Sequence, residues 1–349
     1  MPNKVKRFQE REDFYSRIST QNMTPLWEVL DNLVLNQPED SCVPAHWKYE
    51  ELRPALMESG QLITAKEAER RVLVLENPAK RGKSRITNSL YAGYQLILPG
   101  EIAPAHRHSQ SALRFVIEGN GAFTAVEGEK TLMQPGDFVV TPSWNWHDHG
   151  NQSDAPMVWV DGLDIPLVEF FNTSFKENLG EDAQMLSRPA GDALARYGSG
   201  LLPVDYESRS LNSPVFNYPY ARTREALEIM RKTEEWDSCH GLKMRYVNPV
   251  DGGFAMPTMA TFVQLLPKTF KSIPYRSTDA TVFVVVEGSG STLIGEENFH
   301  WNAHDVFVAP SWNWISHRAE EDAVLFSFSD RVIQEKLGLW REQRGNESI

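Results

Sequence analysis

The feature that most constrains the fold of this chain is an internal repeat. The segment FVIEGNGAFTAV (115–126) matches VVVEGSGSTLI (284–294), and GDFVVTPSWNWHDHG (136–150) matches HDVFVAPSWNWISHR (304–318). A repeat of this kind indicates that one structural unit has been used twice. The sequence therefore predicts two copies of one fold.

Both copies have the texture of β structure. Short apolar runs such as YAGYQLILPG (91–100) and MVWVDGLDI (157–165) alternate with turns rich in Gly, Pro, Asn and Asp. Many short strands at close spacing are typical of a β-sandwich or barrel. Helices are predicted outside the copies, where Pro25 opens LWEVLDNLV, Thr64 and Glu67 form a capping box, and RTREALEIMRK follows position 221.

The charge balance argues against nucleic acid and membrane partners. The chain has 35 Lys and Arg residues against 47 Asp and Glu, a net charge of −12 among 349 residues. This average field repels phosphate backbones and anionic lipid surfaces. Because no apolar run has the length of a signal peptide or a membrane span, we expect a cytoplasmic protein. The cysteines, Cys42 and Cys239, are too few for a disulfide framework and are expected to be ordinary thiols.

Three histidines form a candidate metal site. His106 and His108 are two residues apart, so both side chains project from the same face of an extended strand. His147 follows a turn signal at Pro135-Gly136-Asp137, from which an antiparallel strand could return it to the first pair. The sequence predicts that these three imidazoles bind one metal ion.

The second copy supports this interpretation because it lacks the three histidines. It keeps the strands and turns, and only His149 has a histidine counterpart, His317. Read across the repeat, the other positions pair as follows: His106 with Tyr275, His108 with Ser277, Arg114 with Phe283 and His147 with Ile315. We expect a structural or assembly role for the second copy.

Ligand type alone leaves the metal open. Three imidazoles suit zinc, and they equally suit Fe(II), Mn(II) or Co(II). Such a site leaves coordination positions free on one side. An aromatic ring with a carboxylate and an ortho-hydroxyl group could fill two of them and leave a third for dioxygen.

Two motifs resemble those of the cupin superfamily. They are Gly100 followed by five residues and His-x-His, and Gly136-x5-Pro142-x4-His147-x3-Asn151. Most cupins add a glutamate ligand, which would fall at position 112 or 113, here alanine and leucine. The phrases PAHRHSQSALRFVIEG (104–119), TPSWNWHDHGN (141–151) and WVDGLDIPLV (159–168) resemble, more narrowly, the bicupin ring-cleaving dioxygenases that act on gentisate, salicylate or 1-hydroxy-2-naphthoate.

This resemblance implies a fold and a reaction. The fold is mainly β with added helices, a bicupin of two double-stranded β-helix (jelly-roll) barrels. The reaction is Fe(II)-dependent cleavage of gentisate (2,5-dihydroxybenzoate) by O2 to maleylpyruvate, in the catabolism of aromatic compounds, by a homotetramer. Salicylate or 1-hydroxy-2-naphthoate is an alternative substrate, and a non-oxidative metal-binding cupin, either an isomerase or a storage protein, is an alternative class.

With this resemblance, we expect the following domain organisation. The boundaries are a mostly helical N-terminal region (1–80), an N-terminal cupin with the metal site (81–170), a linking segment with a helix (171–243), a C-terminal cupin without metal ligands (244–330) and a tail (331–349).

Further residues are candidates for substrate binding and catalysis. Arg114 is an even number of residues from His106 and His108, so in an unbroken strand it projects from the same face. It could bind a substrate carboxylate, or form a surface ion pair. His149 could be a fourth ligand, an acid/base near a substrate hydroxyl, or a structural residue. Asp161 could orient a histidine or accept the proton of the hydroxyl para to the reacting one, and the resemblance associates its position with catalysis.

The resemblance adds two residues near the substrate, Arg70 as a second carboxylate ligand and Gln95 on a strand. From the sequence alone they are a helix-surface arginine and a strand glutamine. The tryptophans of PSWNW occur in both copies, which indicates packing. The histidines without ligand spacing are expected to be ordinary: His46, His240, His300 and His304.

Overall fold

The computed structural model describes residues 2–208, 210–233 and 235–345. The chain forms two compact units, residues 1–39 and 40–349. Within the described ranges, no helix combines the length and the apolar character that crossing a bilayer requires.

The first unit contains helices α1 (Pro2–Ser19) and α2 (Leu26–Leu33). Tyr15 joins them, because its hydroxyl donates to the Glu28 carboxylate at 2.6 Å and accepts the indole N–H of Trp27 at 2.7 Å. Helix α2 begins one residue later than predicted. Pro25 has an extended ψ of 121° and occupies the N-cap position instead of the first helical position.

The second unit carries the remaining helices. They are α3 (Tyr49–Leu62), α4 (Ala65–Ala68), α5 (Ile165–Phe170), α6 (Asp192–Tyr197), α7 (Tyr220–Thr233) and α8 (Arg331–Lys336). The predicted capping box is confirmed at α4, where Thr64 accepts from the Glu67 amide and the Glu67 carboxylate accepts from the Thr64 amide. The helix predicted after position 221 is α7.

The strands before and within the first copy of the repeat are short. They are β1 (Ala45–Trp47), β2 (Val72–Val74), β3 (Tyr91–Ile97), β4 (Ile102–His108), β5 (Ala112–Glu118), β6 (Ala122–Val126), β7 (Glu129–Leu132), β8 (Phe138–Thr141), β9 (His147–Asn151), β10 (Met157–Leu163), β11 (Lys176–Asn178) and β12 (Asn217–Tyr218).

The second copy repeats this series. Its strands are β13 (Leu242–Arg245), β14 (Ala260–Leu266), β15 (Tyr275–Ser277), β16 (Thr281–Glu287), β17 (Ser289–Ile294), β18 (Glu297–Asn302), β19 (Val306–Ala309), β20 (Ile315–Ala319), β21 (Ala323–Ser329) and β22 (Glu342–Arg344).

Each copy forms a barrel from two antiparallel sheets. In the first barrel the strand orders are β12-β8-β5-β10-β3-β2 and β11-β4-β9-β6-β7. In the second they are β1-β19-β16-β21-β14-β13 and β18-β17-β20-β15-β22. The matching orders confirm the predicted duplication, and the fold is mainly β with two barrels.

Alternating side chains divide each six-stranded sheet into two faces. The outer faces of the two six-stranded sheets share one large core, in which Phe115 stacks on Phe326 with ring centroids 4.2 Å apart. The inner face of the first barrel forms a separate cluster that includes Val116, Met133 and Trp159. The barrels therefore pack against each other through their outer faces, which leaves the interior of the first barrel available for polar side chains.

Candidate metal centre and active site

The three predicted histidines meet inside the first barrel. His106 and His108 end β4, and His147 begins the neighbouring strand β9, in register with His106. One ring nitrogen from each residue lies within 4.8 Å of the others, and this trio is the one candidate metal cluster found in the part of the chain that the structure describes. The antiparallel return predicted from the turn signal is therefore confirmed.

Backbone carbonyls set the tautomers of two of these histidines. His108 Nδ1 lies 2.9 Å from the Gln110 carbonyl, and His147 Nδ1 lies 3.0 Å from the Asn145 carbonyl. Since a carbonyl only accepts, both Nδ1 atoms carry the hydrogen and the Nε2 lone pairs are free. The Nε2 of His147 is buried without a partner among the described residues. Such a donor set fits a divalent transition metal.

Burial keeps these imidazoles neutral. It lowers the pKa of His106 to about 2, with Arg70 as the next cause, and lowers the pKa of His108 to about 4. Burial also holds the pKa of His147 well below its usual value. Neutral imidazole is the form that binds metal.

Arg114 lies beside the trio on β5. It is 3% exposed, its Nη1 donates to Thr141 Oγ1, and its Nε lies 3.7 Å from Asp161 Oδ1. That Nε is buried and has no hydrogen-bond partner among the described residues. A guanidinium with an unused buried donor can bind a carboxylate, so the alternative of a surface ion pair is wrong.

Asp161 occupies the position opposite Arg114 on β10. Its Oδ1 accepts the indole N–H of Trp159 at 2.9 Å. Burial raises the pKa of Asp161 to about 6, and Arg114 limits the rise. A carboxylate of this kind can exchange a proton near neutral pH.

Arg70 reaches the metal position from the N-terminal side of the barrel. Its Nη2 lies 3.5 Å from His106 Nε2 and donates to the Pro104 carbonyl at 3.1 Å. The chain turns sharply after α4, where Glu69 has a positive φ of 51°. Arg71 then anchors the segment by an ion pair with Glu101 at 2.6 Å. Arg70 therefore lies next to the three-histidine cluster and outside the helix.

His149 lies on the inner face of β9, two residues beyond His147. It is completely buried, its Nδ1 lies 3.0 Å from Thr124 Oγ1, and its Nε2 has no partner among the described residues. Burial is the largest cause that holds its pKa well below the usual value, and Arg114 and Arg70 add to the effect. His149 is therefore a neutral ring whose Nε2 can meet a ligand.

The inner face of β3 lies next to that of β10, which carries Asp161. Gln95 is 2% exposed and pairs with Trp159 and Val72 on the neighbouring strands. Sequence reasoning missed Tyr91, which shares this face by strand parity and whose pKa is raised by burial and by the charge of Asp161. Tyr91 and Gln95 lie four residues apart in YAGYQ, an even spacing that puts them on one face of a strand, and this was the available signal.

The chain resembles known proteins over almost its full length. Residues 93–165 match the family model described as Cupin domain. Gentisate 1,2-dioxygenase 1 of Aquipseudomonas alcaligenes is 62% identical over 96% of both chains. The chain belongs to the gentisate 1,2-dioxygenase family.

More distant relatives extend this family. A 5-aminosalicylate 1,2-dioxygenase of Comamonas sp is 34% identical over 92% of this chain and 87% of its own. The crystal structure of salicylate 1,2-dioxygenase from Pseudaminobacter salicylatoxidans matches with a TM-score of 0.90 and 33% identity over 97% of this chain and 98% of the other. The same enzyme has been solved as an adduct with gentisate, with a TM-score of 0.90 and 34% identity over 97% of this chain and 94% of that one.

The second barrel of this gentisate 1,2-dioxygenase family member has buried apolar residues, Phe283 and Ile315, at the positions of Arg114 and His147. Phe283, the counterpart of Arg114, stacks on Phe307 with centroids 4.8 Å apart. Tyr275 stands where His106 stands in the first barrel, and its hydroxyl lies 3.3 Å from His317 Nε2. A second copy without metal ligands stays a prediction.

The duplicated tryptophans have the same packing role in both barrels. The Arg107 guanidinium lies 4.6 Å from the ring centroids of Trp144 and Trp146. Arg276 lies 4.4 and 4.7 Å from the corresponding rings of the second copy, Trp312 and Trp314. The repeated cation–π contacts explain why PSWNW is conserved between copies without chemistry.

The other histidines and the cysteines lie outside the metal cluster. His46 contacts Asp305 at 3.0 Å, His240 lies 3.5 Å from Glu342, and His300 contacts Asn298 at 3.3 Å. Tyr49 packs edge-on against His304. Cys42 and Cys239 are buried free thiols.

Proposed function

We propose that this protein is a gentisate 1,2-dioxygenase that cleaves the ring of 2,5-dihydroxybenzoate with O2. The bond that breaks joins the carboxyl-bearing carbon to the adjacent hydroxyl-bearing carbon, and both oxygen atoms enter the product, maleylpyruvate. The observation that carries the proposal is the three-histidine cluster accompanied by two arginines: Arg70 Nη2 lies 3.5 Å from His106 Nε2, and Arg114 is buried with an unpaired Nε. The 62% identity to a gentisate 1,2-dioxygenase supports the choice of substrate.

Fe(II) is the proposed metal, held by His106, His108 and His147. When bound there, it would bring the aromatic substrate and O2 together and pass electrons between them. Membership of the ring-cleaving dioxygenase family supports iron. The three imidazoles contribute no charge, so an anionic substrate is not repelled by a carboxylate ligand. At position 112, where most cupins place a glutamate, Ala112 is 1% exposed and offers no donor.

The two arginines bind the substrate carboxylate in this proposal. Arg114 offers its buried Nε, and Arg70 offers a guanidinium that already borders the His106 nitrogen. Arg114 cannot shift easily, because Thr141 and Asp161 contact it on neighbouring strands. This rigidity orients the ring and limits the conformational cost of binding.

His149 and Asp161 handle protons, and Gln95 contacts the substrate from β3. The free Nε2 of His149 accepts a proton from a substrate hydroxyl, while Asp161 accepts the proton of the hydroxyl para to the reacting one. Both side chains are almost completely buried, which excludes water from the reacting face.

One experiment tests the proposal. Protein loaded anaerobically with Fe(II) is mixed with gentisate and air, and oxygen uptake and ring-opened product are measured. We expect one O2 consumed for each gentisate cleaved. Absence of both signals in protein that retains iron would refute the proposal.

Salicylate is a second candidate substrate because a solved salicylate 1,2-dioxygenase shares the fold over nearly the whole chain. Salicylate lacks the para hydroxyl that Asp161 is proposed to receive. Turnover of salicylate at a rate comparable to gentisate would therefore overturn the narrower assignment.

The homotetramer, the cytoplasmic location and the five-segment domain organisation (1–80, 81–170, 171–243, 244–330, 331–349) belong to the proposal. Membership of the family supports the tetramer. Light scattering of the purified protein measures its mass, and a mass other than four chains would contradict this part.

A further inference from the structure

The hydroxyl of Thr124 lies between His149 and Met133 on the inner face of the first barrel. Its Oγ1 is 3.0 Å from His149 Nδ1 and 3.3 Å from Met133 Sδ, and all three residues are completely buried. A hydroxyl has one hydrogen to donate. It can give this hydrogen to the sulfur and accept from His149, or give it to His149.

The second barrel has the same arrangement with one change. Thr292 Oγ1 lies 2.9 Å from His317 Nδ1, but the third position is Trp301, whose indole N–H donates to Thr292 at 2.8 Å. Indole nitrogen only donates, whereas thioether sulfur only accepts. The Thr292 hydrogen then finds an acceptor when it is donated to His317 Nδ1, and in that arrangement His317 Nε2–H faces the Tyr275 hydroxyl at 3.3 Å.

In the first barrel more donors and acceptors are paired when the Thr124 hydroxyl donates to Met133 instead of His149. If Thr124 donates to Met133 Sδ, its oxygen accepts the Nδ1–H of His149, and both atoms of the hydroxyl are used. The alternative would leave an Nε2–H buried without an acceptor, because His149 Nε2 has no partner among the described residues. An unpaired buried donor is costly, and the nearby Arg114 and Arg70 cations favour a lone pair over a hydrogen.

We propose that Thr124 and Met133 are positioning residues that hold His149 as the Nδ1–H tautomer, so that its Nε2 lone pair can accept a hydrogen bond from a substrate hydroxyl and orient the ring. This role of His149 rests on the proposed function, but the tautomer itself does not. Met133 and Trp301 thereby distinguish a reactive histidine from its structural counterpart, His317.

The tautomer can be observed without activity. In full-length, metal-free protein labelled with 15N-histidine, the two ring nitrogens of His149 report which one carries hydrogen, and the His149→Gln variant assigns their signals. We expect Nδ1–H in the unaltered protein and a shift toward Nε2–H in Met133→Leu, a volume-conserving change that removes the acceptor. Nε2–H in the unaltered protein, or an unchanged tautomer in Met133→Leu, would overturn the proposal.

Kinetics then test the consequence. In Met133→Leu and Thr124→Val we expect kcat for gentisate to fall about 10- to 100-fold, the scale of a misoriented substrate contact, with KM and iron content nearly unchanged. Thr124→Ser keeps the hydroxyl and should restore most of kcat. A KM increase without loss of kcat would contradict a role in orienting the reacting hydroxyl.

The second barrel offers a matched control. Thr292→Val removes the equivalent hydroxyl from an equally buried site, so its effect on stability is comparable while kcat is retained. If kcat fell equally in Thr292→Val and Thr124→Val, lost protein stability would explain the fall, and the proposal would be refuted. If the unaltered protein cleaves no gentisate, the proposed function fails, whereas the NMR result still decides the tautomer.

Discussion

Arg114 and Asp161 face each other across strands β5 and β10, with guanidinium Nε 3.7 Å from carboxylate Oδ1. Both side chains are nearly completely buried, and the carboxylate Oδ1 is also bonded to the Trp159 indole. The separation is too long for a hydrogen bond, so Asp161 lies close to Arg114 without using its Nε donor. This relationship keeps a buried cation available for a ligand.

Arg114→Lys tests whether that cation binds the carboxylate. Lysine keeps the charge but loses the planar fork of donors, so we expect kcat/KM for gentisate to fall about 100-fold, equivalent to about 3 kcal/mol for a charged hydrogen bond. Steady-state kinetics measure the change. Arg276→Lys, which alters an arginine of the second barrel, should leave kcat/KM near the unaltered value, and equal effects of the two variants would argue against a direct role.

The raised pKa of Asp161 predicts that kcat/KM falls at acidic pH. Burial raises its pKa to about 6, so the carboxylate becomes protonated as the pH falls through this value and can no longer accept a proton. We expect kcat/KM to decline below about pH 6. A bound divalent cation would shift this decline to lower pH, because its positive charge favours the ionised carboxylate. Asp161→Asn should give a low and flat profile. If kcat/KM of that variant still declined at the same pH, the decline would belong to a group other than Asp161.

His106→Ala tests the location of the metal. Loss of one of three imidazole ligands should reduce iron binding to near zero, measured as iron per chain after gel filtration. Tyr275→Phe is the control at the equivalent position of the second barrel, where it removes only the hydroxyl contact with His317 and should cost about 1 kcal/mol of unfolding free energy. Full iron occupancy in His106→Ala would show that the metal lies elsewhere.

The raised pKa of Asp330 predicts that the free energy of unfolding depends on pH. Burial and the neighbouring Asp279 raise its pKa to about 6, although Ser89 and the Ala280 amide donate to it at 2.8 and 3.1 Å. The native state therefore binds more protons than the unfolded state between about pH 4 and 6, and this contribution to stability is lost as the pH rises.

Asp330→Asn removes the titration. Relative to the unaltered protein, its free energy of unfolding should increase between pH 4 and 7, by at most about 3 kcal/mol for a shift of two pH units. Urea unfolding at several pH values measures this difference. A difference between the two proteins that does not vary with pH would contradict the raised pKa.

Much of the fold could be predicted because the repeat and strand parity are visible in the sequence. The strands β5, β6, β8 and β10 lie in the short apolar runs between turn residues that predicted them. Edge strands were not predictable in the same way. β1, a three-residue strand of the N-terminal region, pairs with β19 of the second barrel, and such a short segment has no periodicity of its own.

The site was predictable where spacing along one strand or one hairpin carried the information. His106, His108 and His147 met these conditions, and the loss of all three in the repeat strengthened the prediction. Arg70 was assigned to the site only by resemblance, because its approach depends on the turn at Glu69 and the ion pair of Arg71. Tyr91 was missed because an aromatic residue on a strand is more often part of a core.

The amino-acid sequence by itself determined the duplicated β fold, the three histidine ligands and the family, since each depends on residue types at fixed spacing. Only the tertiary structure decided which carbonyls orient the imidazoles, which arginines border the metal position, and which partner directs the hydroxyl of Thr124. These properties depend on the directions of donors and acceptors contributed by separate strands. A one-residue difference in the repeat, Met133 in place of Trp301, has a meaning for His149 only when the barrel brings the three side chains into contact.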